Sequence, residues 1–302
     1  MQQDAIIIGG GFAGLSAAYI LARARRHVTI IDSGTPRNRF AAHSHGMLAL
    51  DGKSGLEILD DARAQLAAYP TVTFLDGEAD SAAGTIDDFH VFVTGNAPVA
   101  AKRLLLASGM EDRLPDIPGL KERWGKTVLH CPYCHGYEIG GGDIGVLASH
   151  PMSAHQACVV ADWGDVTLFI NGTPEPDEEA LSLLDRRKVK LQSGDVLAVE
   201  DLPDGRLSVQ METGGAVAVK ALFVGPDLHL RGTIAQDLGC ALEESPAGRI
   251  IATSAAKATS VPGIYAAGDI ARAFGNITLS SADGVIAAFG LHQSLMFAAA
   301  HS

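Results

Sequence analysis

The segment 5–32 constrains the fold more than any other part of the chain. An apolar run, AIIIG (5–9), is followed by FAGLSAAYILARAR (12–25), whose apolar residues recur with helical spacing. A second apolar run, HVTIID (27–32), comes next. Two short apolar strands joined by a helix predict neighbouring parallel strands of an α/β sheet.

The turn between the first strand and the helix is rich in glycine. Its sequence, GGGFAG, contains the pattern G-x-G-x-x-G at Gly9, Gly11 and Gly14. Between a strand and a helix, this pattern indicates a dinucleotide-binding turn. Gly9 would form the turn, Gly11 would admit a pyrophosphate close to the backbone, and Gly14 would let the helix pack on the strand. A glycine-rich turn without a ligand stays the alternative.

Two neighbouring features suit the same ligand. The helix N-terminus at Phe12 and Ala13 offers free N–H groups and a partial positive charge to a phosphate. Asp32 ends the next strand, where a carboxylate can bond a ribose hydroxyl. The candidate cofactor-binding residues of this segment are therefore the three glycines, Phe12, Ala13 and Asp32.

Composition excludes several classes of protein. The chain has 302 residues, 47% of them hydrophobic, which is enough for one large or two medium domains. The 35 acidic residues outnumber the 23 Lys and Arg, and a net charge of −12 argues against nucleic acid or an anionic membrane as the main partner. The apolar segments 5–22 and 285–300 are interpreted as buried elements, not as targeting or membrane segments. The cytoplasm is the expected location.

Further segments continue the alternation of strands and helices. Strands are predicted at 71–79, 89–95 and 101–109, and a linker rich in Pro and Gly at 114–126. A second strand–helix–strand unit is predicted at 143–149, 150–163 and 165–172. The segment NITLSSADG (276–284) leads into a helix predicted at VIAAFG (285–290). The pattern predicts a duplicated nucleotide-binding design, with the second unit inserted into the first.

Two cysteines lie two residues apart in HCPYCHGYE (130–138). Cys131 and Cys134, with His130 and His135 on either side, suit a dithiol/disulfide pair, half a zinc site, a haem attachment or a structural turn. Zinc would need two more ligands at suitable spacing, and haem would need export and an axial partner. The spacing lets a short disulfide loop close, and a helix N-terminus favours the thiolate. Redox chemistry is therefore favoured over the other three.

Two later motifs identify the dinucleotide by resemblance. VPGIYAAGD (261–269) ends in Gly268 and Asp269 and resembles the second flavin motif of two-domain flavoprotein disulfide reductases. LLLASG, which ends in Ser108 and Gly109, is similar to the motif that precedes the crossover to the inserted domain in those proteins. These motifs imply FAD as the cofactor, bound in part by these four residues.

With CPYC placed shortly after the linker, the chain resembles the low-molecular-weight thioredoxin reductase-like flavoproteins. The resemblance implies an α/β fold of two Rossmann-like three-layer domains, the second inserted into a split FAD domain. The FAD domain would comprise 1–117 and 244–302, and the inserted domain, with a degenerate NAD(P)H-binding fold, 118–243. A homodimer is also implied.

The family also implies roles at the cysteine pair. Its second cysteine approaches the flavin, here Cys134, and its first, here Cys131, exchanges with the substrate. The family's acidic residue after the second cysteine is replaced by His135, which could move protons near neutral pH, and His130 is a second candidate base. Related dithiol oxidases of natural-product pathways have a similar Cys-x-x-Cys-His arrangement. That likeness implies that His130, with Asn38, polarises the flavin-proximal thiol.

Other flavin contacts follow from the same resemblance. His45 lies in AAHSHGMLALDG (41–52), where the family's flavin-facing loop runs. Ile277 and Thr278 would contact the flavin pyrimidine ring through their backbone, although the family's Arg-Gln pair is replaced there by Asn276-Ile277.

The NADPH turn of the inserted domain departs from the family pattern. In ASHPMS (148–153), Ala148 replaces the first glycine and His150 the second, where a side chain blocks a pyrophosphate. Pro151 removes a backbone donor from the same turn. FINGT (169–173) lacks an arginine for a 2′-phosphate. Binding of NADPH is therefore doubtful.

The leading hypothesis is an FAD-dependent dithiol/disulfide oxidoreductase. It would pass two electrons between the flavin, the cysteine pair and an external dithiol or disulfide, either a small molecule or a thioredoxin-like protein. Oxygen or a ferredoxin would replace NADPH as the electron partner. An NAD(P)H-dependent thioredoxin reductase is the alternative of the same fold, and a non-catalytic flavin-binding redox sensor is the alternative of another class. No metal site is predicted.

Overall fold

The computed structural model describes residues 2–246 and 248–297. The chain divides into two compact units: the first comprises Met1–Arg39, Gly55–Glu111 and Leu228–Ser302, and the second Phe40–Ser54 and Asp112–Asp227. The second unit is thus inserted into the first, and it also includes the early segment 40–54. The predicted domain boundaries after residues 117 and 243 stay a prediction.

The first part of the chain contains β1 (Gln3–Ile8), α1 (Phe12–Arg23), β2 (Val28–Asp32), α2 (Gly55–Leu66), β3 (Val72–Asp76), β4 (Ala79–Thr85), β5 (Asp88–Val93), β6 (Val99–Leu106) and β7 (Met110–Arg113). The middle contains α3 (Leu120–Arg123), β8 (Val128–Leu129), α4 (Pro132–Ile139), β9 (Asp143–Leu147), α5 (Ser153–Val160), β10 (Asp165–Phe169), α6 (Glu178–Arg186), β11 (Lys190–Gln192), β12 (Val196–Asp201), β13 (Leu207–Met211), β14 (Ala216–Val219) and β15 (Leu222–Val224). The last part contains β16 (Asp227–Leu230), α7 (Ile234–Asp237), β17 (Leu242–Ser245), β18 (Gly248–Ile251), β19 (Ile264–Ala266) and α8 (Ile277–Phe297). Short 3-10 turns cover Arg37–Phe40 and Asp269–Ala271.

The described part of the first unit is built on a sheet of seven strands in the order β3-β2-β1-β6-β5-β4, with β19 also paired to β6. Strands β1, β2, β3, β6 and β19 pair in parallel, and β4 and β5 are antiparallel. Ile7 of β1 packs with Leu15 of α1 on one face of the sheet, whereas Ile6 packs with Ile234 of α7 on the other. Because both faces are covered, residues 5–8 of β1 are all apolar and buried.

The second unit has a parallel sheet in the order β11-β10-β9-β15-β8. Val146 of β9 packs against Ala157 of α5 on one face. Leu147 packs on the other face against Val209, which belongs to the antiparallel sheet β12-β13-β14. The predicted α/β class, with two three-layer Rossmann-like units, is confirmed.

Several predicted boundaries differ from the structure. The linker predicted at 114–126 contains the short helix α3. The strand predicted at 71–79 ends at Asp76, because the chain turns at Gly77, whose φ is +150°. Helix α8 begins at Ile277, well before 285, because the Asn276 side chain accepts the Leu279 N–H at 2.8 Å and caps the helix. In the described residues, every helix is too short or too polar to cross a membrane.

Candidate active site

The first glycine turn joins β1 to α1 and leaves no room for side chains at two of its positions. Gly9 has a φ of +109°, and a Cβ atom added to it would lie 2.3 Å from the carbonyl oxygen of Ala107, the residue that follows the neighbouring strand β6. A Cβ atom added to Gly14 would lie 1.9 Å from the Gly9 carbonyl oxygen. These two glycines therefore permit the turn and the close approach of α1 to it.

Gly11 differs from both, because it faces open space. A Cβ atom added there would have no heavy atom of the described residues within 4 Å, apart from its chain neighbours. Gly11 is also the N-cap residue of α1, and it makes no side-chain cap hydrogen bond. The N–H groups at Phe12 and Ala13 thus begin a helix whose N-terminus is open to an acceptor. The turn fits the pyrophosphate of a dinucleotide.

The other predicted cofactor residues of the first unit follow the carboxyl ends of its parallel strands. Asp32 ends β2, Ser108 and Gly109 follow β6, and Gly268 and Asp269 follow β19. Ligands of open α/β sheets bind at this edge.

Two of the glycine motifs approach each other at this edge. A Cβ atom on Gly268 would lie 2.9 Å from the Ala13 Cβ atom, so the second flavin motif meets the first. Ile277 and Thr278 form the first turn of α8, and Asn38 lies half-buried in the 3-10 turn Arg37–Phe40. The cofactor roles of these residues stay a prediction.

Cys131 and Cys134 form a disulfide at the start of α4, with their Cα atoms 5.3 Å apart. Cys131 is the N-cap residue, and Pro132 follows in the first turn, where its missing N–H costs no hydrogen bond. The helix ends at Gly140, which adopts the left-handed conformation. Lys220 donates to the Gly140 carbonyl oxygen at 3.3 Å, so a cation also lies at the negative end of the helix.

The predicted bases His130 and His135 lie on either side of the pair. His135 is half-buried, and burial lowers its pKa. The nearby Glu138 carboxylate raises that pKa, and His45 lowers it further. The net shift favours neutral imidazole, the form that accepts a proton. His130 is exposed, and its backbone carbonyl accepts a hydrogen bond from the Gln156 side chain at 2.9 Å.

His45 belongs to the second unit, where its Nδ1 atom lies 3.4 Å from Oε1 of Glu138. Its predicted contact with the flavin stays a prediction. Glu138 was not identified from the sequence, because nothing in HGYE shows which residue its carboxylate faces.

The turn between β9 and α5 is filled by its own side chains. The Ser153 hydroxyl accepts hydrogen bonds from the N–H groups of Ser149 at 3.1 Å and His150 at 3.3 Å. Nδ1 of His150 accepts from the Met152 N–H at 3.1 Å. A Cβ atom on Gly225 would lie 1.8 Å from Nε2 of His150, so the imidazole ring rests against that glycine. The backbone donors that a pyrophosphate would use are already engaged.

Comparisons with known proteins agree with this architecture. The family model described as pyridine nucleotide-disulphide oxidoreductase matches residues 3–284. The chain belongs to this family.

Its relatives are of the thioredoxin reductase-like type. It is 35% identical to thioredoxin reductase tcpT of Claviceps purpurea, over 88% of this chain and 86% of that protein. Among solved structures, an oxidoreductase from Agrobacterium tumefaciens is 43% identical with a TM-score of 0.94, over 98% of this chain and 99% of that one. The crystal structure of HlmI is 38% identical with a TM-score of 0.90, over 98% and 93% of the two chains.

The chain is therefore a thioredoxin reductase-like disulfide oxidoreductase, and its family implies FAD and a thioredoxin-like or other disulfide partner. FAD, when bound, exchanges two electrons with a cysteine pair. The open turn at Gly11 and the strand ends around Gly268 fit such a dinucleotide.

Family membership gives context to two ion pairs that were not identified from the sequence. Arg37 donates to Oδ2 of Asp269 at 2.8 Å, and the Ser280 hydroxyl donates to Oδ1 of the same carboxylate at 3.2 Å. Arg63 donates to Asp32 at 3.2 Å and lies 4.5 Å from the centre of the Phe74 ring. Both predicted cofactor carboxylates are thus oriented by an arginine.

A buried acid lies near the start of α8. Asp283 is fully buried and accepts two hydrogen bonds from Arg272, at 2.7 and 2.9 Å, while Lys257 lies 3.0 Å away. Burial by itself would raise the pKa of Asp283, but the two cations outweigh it and hold the pKa below its ordinary value. Asp283 therefore stays charged and fixes α8 beside the second flavin motif.

Proposed function

We propose that this flavoprotein oxidises or reduces an external dithiol/disulfide through the Cys131–Cys134 pair and FAD, without using NADPH. The substrate thiol would attack the disulfide at Cys131, and a bound FAD would supply the two-electron acceptor for the flavin-proximal Cys134. His135 and His130 serve as the candidate bases at the pair.

One observation carries the proposal: the two strand-to-helix turns of this chain differ in their free donors. The turn at Gly11 is open, and α1 begins without a side-chain cap. The turn at 148–153 engages its own N–H groups through Ser153 and His150. A pyrophosphate would have to displace both side chains from the second turn, whereas it meets none at the first.

Without NADPH, the flavin needs another electron partner. Oxygen would make the protein a dithiol oxidase, and a ferredoxin would make it a reductase. The relatives named thioredoxin reductase do not distinguish between these two electron partners. The homodimer and the cytoplasmic location stay predictions.

The test is anaerobic stopped-flow absorbance of the purified holoprotein. The protein is mixed in turn with NADPH, NADH and dithiothreitol, and oxygen is then admitted. We expect dithiothreitol to bleach the flavin band and neither nucleotide to do so. Fast recovery in oxygen supports the oxidase, and slow recovery supports a ferredoxin-linked reductase.

Bleaching by NADPH within milliseconds would contradict the proposal and favour an NAD(P)H-dependent thioredoxin reductase. The matched controls are Cys131→Ser and Cys134→Ser, which remove the disulfide and leave the nucleotide turn intact. Dithiothreitol should no longer reduce the flavin rapidly in either variant. Retention of the wild-type rate would favour a role without disulfide chemistry, such as a redox sensor.

A further inference from the structure

The redox-active and titratable side chains at helix α4 lie along one face of the helix, which we call the stripe. Cys131 precedes the helix, and Cys134, His135 and Glu138 follow at intervals of three, four and seven residues from it. In an α-helix these intervals place side chains on the same face. The stripe therefore runs from the disulfide, through the half-buried His135, to the more exposed Glu138.

A loop of the same unit contacts the far end of this stripe. The loop is closed by backbone hydrogen bonds between Ser44 and both Gly52 and Lys53, each at 2.9 Å. It places Nδ1 of His45 3.4 Å from Oε1 of Glu138 and 3.6 Å from Oδ2 of Asp51.

Asp51 connects this group to solvent. Its Oδ1 atom accepts the Gly46 N–H at 2.8 Å, which fixes the carboxylate in the loop. Its side chain is 70% exposed. Titratable side chains thus follow one another in space from His135, through Glu138 and His45, to Asp51, which is exposed to water.

The proposed reaction requires a path for protons. When a substrate dithiol reduces the Cys131–Cys134 disulfide, the substrate gains an S–S bond and the pair gains two S–H bonds. Transfer of the two electrons to a bound FAD would re-form the disulfide and release both protons from the sulfur atoms. One proton would accompany the electrons to the flavin, and the other would leave through a base of the protein.

We infer that His45 and Glu138 are positioning residues that pass this proton between His135 and solvent at Asp51. The inference rests on the proposed dithiol chemistry and adds a defined proton path to it. Glu138 joins the two imidazoles, because it lies on the helix stripe with His135 and contacts His45 across the loop. His135 lies four positions after Cys131, on the helix face that carries the disulfide, and is the group that would exchange the proton with sulfur.

Other charged groups face His135 from a cleft of about 410 Å³ that it shares with Glu138. The cleft is also lined by Lys126, Asp204, Arg206 and Lys220. Asp204 accepts a hydrogen bond from Arg206 at 2.8 Å, and Lys220 donates to the end of α4. These charges are the same in variants of Glu138 or His45, so they do not obscure the effect of either substitution.

The two positioning residues act on His135 in opposite directions. Glu138 raises its pKa and His45 lowers it. In Glu138→Gln, the acid limb of the rate profile should therefore move to lower pH, and in His45→Gln to higher pH. Loss of the path should also slow flavin reduction about 10-fold in each variant at neutral pH.

The experiment measures the rate of flavin reduction by dithiothreitol between pH 5 and 9 under anaerobic conditions, with holoproteins of verified FAD content and circular dichroism. The thiols of dithiothreitol titrate in the same way in every sample, so differences between the profiles come from the protein. His43→Gln is the matched control, because His43 lies in the same loop but its Nδ1 contacts only the Gly52 carbonyl oxygen among the bonds seen, at 3.1 Å. It should keep the wild-type profile.

Opposite shifts in Glu138→Gln and His45→Gln, with His43→Gln unchanged, would support the proton path. Wild-type profiles in both variants, or an equal shift in His43→Gln, would overturn it and leave the dithiol chemistry standing. If the wild-type flavin is not reduced by dithiothreitol at any pH, the proposed function itself fails and the path fails with it.

Discussion

The assignment of FAD to the first glycine turn predicts that Gly11→Ala removes the cofactor without damaging the protein. Gly11 has a φ of −77°, which alanine adopts without strain, and its added Cβ atom meets open space. Alanine is a poorer N-cap than glycine by about 1 kcal/mol, but it also reduces the entropy of the unfolded chain, which offsets much of that cost. The free energy of unfolding of the FAD-free protein should therefore change by less than about 1 kcal/mol.

The effect on FAD should be much larger. The new methyl group would occupy the space through which a pyrophosphate reaches the helix N–H groups. Hydrogen bonds to a charged group contribute about 2 kcal/mol each, so the loss of two weakens binding by about 4 kcal/mol, or on the order of 1,000-fold. The ratio of flavin to protein absorbance after gel filtration should fall to near zero.

Gly14→Ala is the matched comparison, because its added Cβ atom lies 1.9 Å from the Gly9 carbonyl oxygen. Overpacking against backbone should lower the free energy of unfolding by about 3 kcal/mol in the FAD-free protein. Urea unfolding followed by circular dichroism measures both variants. If Gly11→Ala keeps the wild-type FAD content, no phosphate approaches Gly11 and the cofactor assignment is wrong.

Two further substitutions test the ion pairs of Asp283 and the hydrogen bonds within the turn 148–153. Asp283→Asn should lower the free energy of unfolding in urea by about 3 kcal/mol at neutral pH, because it leaves two cations without their buried partner. Since folding lowers the pKa of Asp283 from 3.8, this difference should persist above that pH and shrink as the pH falls below it. Ser153→Ala should cost about 1 kcal/mol in the same assay, because the N–H groups of Ser149 and His150 lose their acceptor. An unchanged midpoint in either variant would contradict the corresponding contact.

Local patterns in the sequence indicated the glycine turn and the cysteine pair. Gly14 has the steric role that the spacing predicts, because that role depends on the Gly9 carbonyl oxygen of the same turn, whereas the close neighbour of Gly9 is Ala107, which is distant in the sequence. Cys131 and Cys134 are only three positions apart, so their spacing permits the disulfide, but the rest of the chain and the family resemblance were needed to favour it over a zinc site, a haem attachment or a structural turn. The early start of α8 had a local signal as well, since Asn276 is a preferred N-cap residue.

The remaining features depend on residues that are distant in the sequence. Arg37 and Asp269 are 232 positions apart, and neither motif indicates that the other lies beside it. The pairing of His45 with Glu138 joins a loop predicted to face the flavin with the helix of the disulfide. Such contacts are set by the tertiary fold, so a single sequence predicts the residue types without their partners.

Under the proposal that the protein works without NADPH, the second unit would be a dinucleotide fold that binds no dinucleotide. Its sheet is covered on both faces by apolar side chains, and the donors of its 148–153 turn are engaged internally, so neither needs a ligand. The same sheet also positions the helix that carries the disulfide. Strand β8 pairs with β15 and leads through His130 directly to Cys131, so the sheet fixes the start of the disulfide helix. Loss of nucleotide binding would therefore leave the redox pair in place, as a dithiol enzyme independent of NADPH requires.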